Sequence, residues 1–248
     1  MSHHIVEVRD LRFAYPDGTE ALRGVSFRIE HGASVALVGA NGAGKSTLLQ
    51  HLNGYLPTQS GEVRIGDVPL TRETLKEARR AVGMVFQNPD DQLFMPTVAE
   101  DVAFGPLNAG LPREEVERRV GSALERVGMG RLRDRPPYRL SGGEKRAVAI
   151  ATVLALEPDI LVMDEPSSNL DPRGRRGLIA WLNTFRHTKI IATHDLELVV
   201  DVCRRAIVLD GGAVVADGPT AELLNDEALM LAHGLERPHS LRHQHPHG

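Results

Sequence analysis

The chain has 248 residues, 42% hydrophobic and 25% charged, a globular composition that excludes a disordered or collagen-like chain and suits one large domain or a domain with a small lobe. Its 29 basic and 33 acidic residues leave a formal charge of −4 with no long basic block, so nucleic acid is not an expected partner. Cys203 is the single cysteine, which excludes an internal disulfide and a cysteine-based zinc site and fits a reducing compartment.

The opening residues, MSHHIVEVRD, lack the apolar core of a secretory leader. Residues 5–9 alternate as a strand, and Val25 to Glu30 and Ser34 to Gly39 follow as strands around the turn-like His31-Gly32. Gly44 to Asn53 reads as a helix, Gly61 to Leu70 as a hairpin around Gly66-Asp67, and Val82 to Phe86 as a strand. From Thr97 to Gly128 the period becomes helical, with Val116, Val120 and Leu124 opposite a charged face, and residues 88–156 read as a helical lobe. The richest apolar stretch, Ala147 to Leu156, is only about half a bilayer span, so the chain is not expected to cross a membrane alone, while peripheral attachment stays open. Ile160 to Met163 and Lys189 to Thr193 are short apolar runs of the buried parallel type, each followed by a helical segment. Ala206 to Asp210 and Ala213 to Ala216 form a last hairpin around Gly211-Gly212, Pro219 to Leu231 reads as helix, and the end is expected to be flexible and His-rich (residues 236–248).

Two motifs carry chemistry. Residues Gly39 to Ser46 match G-x-x-x-x-G-K-[ST] between an apolar strand and a helix, the context a phosphate loop requires. Gly39, Gly42 and Gly44 let amides turn inward on an anion, the helix N-terminus adds positive dipole, Lys45 reaches terminal phosphates and Ser46 can ligate magnesium. Residues 160–165 form an apolar strand ending in Asp164 and Glu165, so that Asp164 can reach Mg²⁺ and Glu165 can address a water.

Leu140-Ser141-Gly142-Gly143-Glu144 opens a further helix. Ser141 and Glu144 have capping-box spacing, yet two glycines weaken a first turn and suit close backbone approach to an anion. With this string the chain resembles the ATP-binding cassette family over residues 5 to about 225. The resemblance implies an α/β fold: a P-loop nucleotide-hydrolase core with a parallel sheet, an N-terminal antiparallel β layer and an inserted helical lobe, spanning residues 1–235. It implies Tyr15 stacked on adenine, Asn41 and Thr47 at the nucleotide, Gln87 contacting magnesium and the attacking water, and His194 at the γ-phosphate. It further implies Asp171 in a loop that crosses to a second subunit, whose nucleotide Ser141, Gly142 and Gly143 complete. ATP and Mg²⁺ are therefore the expected ligands and a homodimer the expected assembly. Asn169 departs from the Gly or Ala of many relatives.

The stretch Gln87 to Phe94 with Thr97 to Pro106 is similar to the ATPases of energy-coupling-factor importers for vitamins and transition metals. Residues Ser141 to Ala149, the string Asp164 to Pro172, and Gly234 to Leu241 most resemble the cobalt/nickel importers. That implies an integral membrane scaffold subunit, a substrate-binding membrane subunit, and a place on the cytoplasmic face of the membrane. His239, His243, His245 and His247 suit weak Ni²⁺ or Co²⁺ binding. The alternatives are a vitamin importer of the same class and a soluble ATPase of the family outside transport. The interval from Thr47 to Leu140 is too short, and lacks the heptads, for the long coiled coil of a DNA-acting relative.

Overall fold

The computed structural model describes residues 6–242. In chain order the elements are β1 (Val6–Ala14), β2 (Glu20–Ile29), β3 (Ser34–Val38), α1 (Lys45–Leu52), β4 (Ser60–Ile65), β5 (Val68–Pro69), α2 (Leu75–Ala81) and β6 (Val82–Val85). Then come α3 (Val98–Asn108), α4 (Arg113–Arg126), α5 (Gly142–Leu154), β7 (Ile160–Asp164), α6 (Pro172–Thr184), β8 (Thr188–Ala192) and α7 (Leu196–Val202). The chain closes with β9 (Arg205–Asp210), β10 (Ala213–Pro219), α8 (Thr220–Leu223), α9 (Glu227–Ala232) and α10 (His239–Arg242).

Two sheets result. One is antiparallel, in the order β2-β1-β4-β5; the other runs β10-β9-β3-β8-β7-β6, parallel throughout except for β10. The parallel strands are apolar on both faces because both are covered. Val35 and Leu37, Ile160 and Val162, Ile190 and Ala192 pack toward the antiparallel sheet and α1. Their neighbours Ala36 and Val38, Leu161 and Met163, and Ile191 pack toward α5, α6 and α7. The two-residue period of a strand thus divides one sheet between two cores.

The antiparallel layer is longer than its alternation predicts. In β1 the buried residues are Val6 and Val8, then Leu11 and Phe13. The apolar phase changes across a register shift between Val8 and Leu11, where Asp10 takes φ +43°. A bulge inserts an extra residue and flips the facing side chains, so a reading by strict alternation stops at residue 9. In β2 the same change occurs at Gly24 (φ +84°) between Leu22 and Val25. The helix expected over Pro219 to Leu231 is also corrected: β10 extends to Pro219, and two short helices follow, broken where the Asp226 side chain caps Leu229 N at 3.0 Å.

Each functional helix has a physical start. Ser141 caps α5 with the reciprocal Glu144 bonds of a capping box, and Asp171 caps α6 ahead of Pro172, whose missing N–H costs nothing at that position. Residues expected to be flexible from 236 onward are placed through 242. Ser240 N donates to Glu197 at 3.1 Å, Leu241 packs against the larger core, and His239 begins α10. His243, His245 and His247 lie outside the described residues.

Candidate functional site

Strands β3, β8 and β7 are neighbours and parallel, so their carboxyl ends reach one edge of the sheet together, where ligands of open α/β sheets bind. Each end delivers a predicted residue or motif: residues 39–46 after β3, Asp164 and Glu165 at the end of β7, and His194, preceded by Thr193, after β8. The adjoining strand β6 delivers Gln87 to the same edge.

The loop after β3 tolerates no side chain at its two ends. A Cβ on Gly39 would run into the Leu209 carbonyl, and one on Gly44 would lie 2.6 Å from the Ala21 carbonyl at φ +101°. Gly42 has φ +82° and open space beside it. Lys45 is buried, its ammonium donating to the carbonyls of Gly39 (2.7 Å) and Ala40 (3.0 Å). Burial pushes its pKa down, while the charges of Glu165 and Asp164 resist. The two carbonyls that accept from this lysine are replaceable by phosphate oxygens, the stronger acceptors.

Asp164 is buried and accepts a hydrogen bond from the Ser46 hydroxyl. Its Oδ1 has no hydrogen-bond partner. Burial is the main cause that raises its pKa, with Glu165 adding to it, and Ser46, Lys45 and Arg146 opposing. A buried carboxylate oxygen left unpaired beside a serine hydroxyl is a hard-oxygen donor set that fits Mg²⁺.

Glu165 occupies a left-handed backbone position, φ +46°, held where its N–H donates to Ala192 O at 2.8 Å. Its buried carboxylate accepts from Thr193 Oγ1 at 3.0 Å and from His194 N at 3.1 Å, and meets His194 Nδ1 at 2.8 Å. The His194 side chain is itself 66% exposed, so its Nε2 is the ring nitrogen left to face a ligand. His194 and Asn41 share a cavity of about 660 Å³ with Gly39, and the chain from Gly234 to His239 lines it as well. A strained residue fixed by three donors at a strand end is characteristic of a functional position.

Tyr15 stands on the rim, 36% exposed, its hydroxyl 2.9 Å from Thr47 Oγ1 and its ring edge-on to Phe13. Gln87 is exposed, and its carbonyl accepts from Arg146 Nη2 at 2.5 Å.

Ser141 and Gly143 line a different cavity, of about 650 Å³, together with Leu170, Asp171 and Trp181; Gly142 lies between them in the exposed first turn of α5. None of residues 39–47 lines it. The predicted nucleotide ligands therefore form two separate groups. Asp171 is spent on its helix, accepting from Gly174 N at 2.6 Å. Asn169 adopts φ +62°, which explains its departure from Gly or Ala: among residues with a side chain, Asn is one of the few at ease there.

Sequence reading missed Thr193, Arg146 and Gln92. Thr193 had a signal, a polar residue at the end of a buried strand beside His194. Arg146 had none, because a basic residue in the second turn of a helix reads as surface. Gln92 accepts from Phe86 N at 3.2 Å and donates to Ala149 O at 2.8 Å and Thr152 Oγ1 at 2.7 Å, the last two through contacts distant in sequence.

A family model described as ABC transporter matches residues 22–168. A protein of Geobacter sulfurreducens provisionally named an ABC transporter ATP-binding protein is 66% identical over 242 residues, 98% of this chain and 97% of that one. The energy-coupling factor transporter ATP-binding protein EcfA of Methanothermobacter thermautotrophicus is 48% identical over 239 residues, 94% of this chain and 77% of that one. Among solved structures, cbiO1 of Clostridium perfringens, part of the ABC transporter complex cbiONQ, superposes with a TM-score of 0.81 at 39% identity, covering 93% of this chain and 94% of that one. No helix among the described residues is long and apolar enough to cross a membrane. The family match covers more than half of the chain and the relatives align along nearly all of it, so the chain belongs to the ATP-binding cassette family, as an ATP-binding and ATP-hydrolysing subunit of an ABC transporter.

Proposed function

We propose that this ATPase powers an energy-coupling-factor importer for a transition-metal ion, cobalt or nickel, as a homodimer on the cytoplasmic face of the membrane. Its partners are an integral scaffold subunit and a substrate-binding membrane subunit. The observation that carries the hydrolytic part is the gathering of Lys45, Asp164, Glu165 and His194 at adjoining strand ends. The importer class rests on the likeness to EcfA and cbiO1, and the metal on the resemblance of residues 141–149, 164–172 and 234–241.

In this reading the amides of Gly39 to Ser46 and the N-terminus of α1 receive the phosphates, with Asn41 and Gly42 at the loop's open side and Lys45 turning from its own carbonyls onto the terminal phosphates. Tyr15 stacks on adenine beside Thr47. Ser46 and Asp164, with Gln87, would hold Mg²⁺, which supplies positive charge between the phosphate oxygens. Glu165 takes a proton from the attacking water. Thr193 and His194 aim its carboxylate, and His194 Nε2 contacts the γ-phosphate, so base and phosphate are held by one side chain. Ser141, Gly142, Gly143 and Asp171 serve the nucleotide of a second copy, which accounts for their separate cavity.

The test is isolation of the chain from its own membranes in mild detergent. A scaffold with several membrane-spanning helices and a metal-binding membrane subunit are expected beside it, and no second cassette. A vitamin-binding subunit overturns the metal assignment, a second cassette the homodimer, and the absence of any membrane protein the transport role.

A further inference from the structure

Helix α5 grips the segment between β6 and α3 at three points. Lys145 pairs with Asp90 at 2.6 Å, Arg146 donates to the carbonyls of Phe86 (2.7 Å) and Gln87 (2.5 Å), and the backbone of Ala149 takes the Gln92 amide at 2.8 Å. The middle grip is the costly one. Arg146 is 2% exposed and its Nε has no hydrogen-bond partner; the charges of Asp164 and Glu165 favour its cation without a direct ion pair. Burying a cation whose only hydrogen bonds are to carbonyls is expensive even with Asp164 and Glu165 nearby, and a neutral amide such as Gln92 joins the same two elements without that expense. The planar fork holds two consecutive carbonyls in a fixed relation, and with them the two peptide planes that flank the Gln87 Cα and set the direction of its side chain. The Ser141 to Gly143 turn is the N-terminal start of the same helix, about one turn before Lys145 and Arg146.

We infer that Arg146 is a positioning residue that ties the attitude of α5 to the Gln87 side chain, so that whatever moves the Ser141 to Gly143 end also moves Gln87. The inference rests on Gln87 acting in hydrolysis. With a second copy's nucleotide at the Ser141 end, Gln87 of one site follows the occupancy of the other.

Two measurements on the full chain decide it. In a double-variant cycle on steady-state ATP turnover, R146K lowers kcat about tenfold with the KM for ATP changed less than about twofold. In a Q87A background the same substitution costs less than about twofold more, because the route is already cut. Equal losses in both backgrounds overturn the inference. In the nucleotide-free chain, hydrogen exchange at residues 86–92 is about fivefold faster in R146K, with residues 150–154 unchanged. Speeding of both segments indicates lost packing and overturns it, as does speeding of neither. Unimpaired turnover in Q87A contradicts the role of Gln87 instead, and the exchange result then stands alone on whether Arg146 holds the segment. If R146K does not fold, D90N frees the exposed Lys145 pair on the same segment, and the same cycle expects about a threefold loss that Q87A abolishes; additivity contradicts it.

Discussion

At the scale of single residues, Asp164 exchanges stability for function. Burial raises its pKa above 3.8, so just above pH 4 the folded chain holds a proton that the unfolded chain has released, and stability falls as pH rises through that window. Above that window the cost of the buried charge is present. Asp164→Asn is therefore expected to raise the melting temperature of the nucleotide-free protein by about 2–4 °C at pH 7, with the gain shrinking toward pH 4, while ATP turnover is lost. Calorimetric scans at both pH values check this, and a lower melting temperature for the variant at pH 7 contradicts it. Lys45→Ala should weaken ATP binding by at least about tenfold, since the ammonium is a charge-assisted donor to the phosphates; unchanged affinity in titration calorimetry rules out the phosphate-loop assignment. Asp164, Glu165 and His194 were legible because each directly follows an apolar strand. Arg146 was not, because what makes it unusual is burial, and burial is a property of the fold.

At the scale of elements, the capping box of α5 does two tasks, closing the helix start and presenting Ser141. Ser141→Ala should cost about 1 kcal/mol of stability, read as a shifted denaturation midpoint with an unchanged slope. An unchanged midpoint means that the Glu144 bond alone suffices. The parallel strands were legible in sequence because two-sided burial writes an unbroken apolar run. Strands β1 and β2 were only half legible because the bulges at Asp10 and Gly24 reset the alternation. Helix α2, LKEARRA, was missed: its one buried residue is Ala78, so it has no apolar stripe to read. The break between α8 and α9 is set by a side-chain cap at Asp226, a signal that only a search for caps would have found.

At the scale of the molecule, the predicted nucleotide ligands fall into two groups that share no cavity, at the strand ends and at the starts of α5 and α6. In the proposed homodimer each chain would supply half of two sites, and a two-fold axis, the commonest symmetry for a homo-oligomer, would complete both. Sedimentation of the Glu165→Gln chain is expected to change from monomer to dimer on adding ATP, and a monomer at saturating ATP contradicts the shared-site arrangement. The histidines at the chain's end are tested best by truncation after Arg242. Cutting earlier would remove Leu241, which packs against the core. Loss of Ni²⁺ binding in calorimetry assigns the metal to His243, His245 and His247, and equal binding by both forms removes them from the account.

The most direct measurement is ATP binding and turnover by the Glu165→Gln chain beside the unaltered one. The strand-end site predicts equal ATP affinity and turnover reduced at least about a hundredfold, the loss of a general base. Turnover near that of the unaltered chain would contradict the assignment of Glu165 and the hydrolytic site built around it.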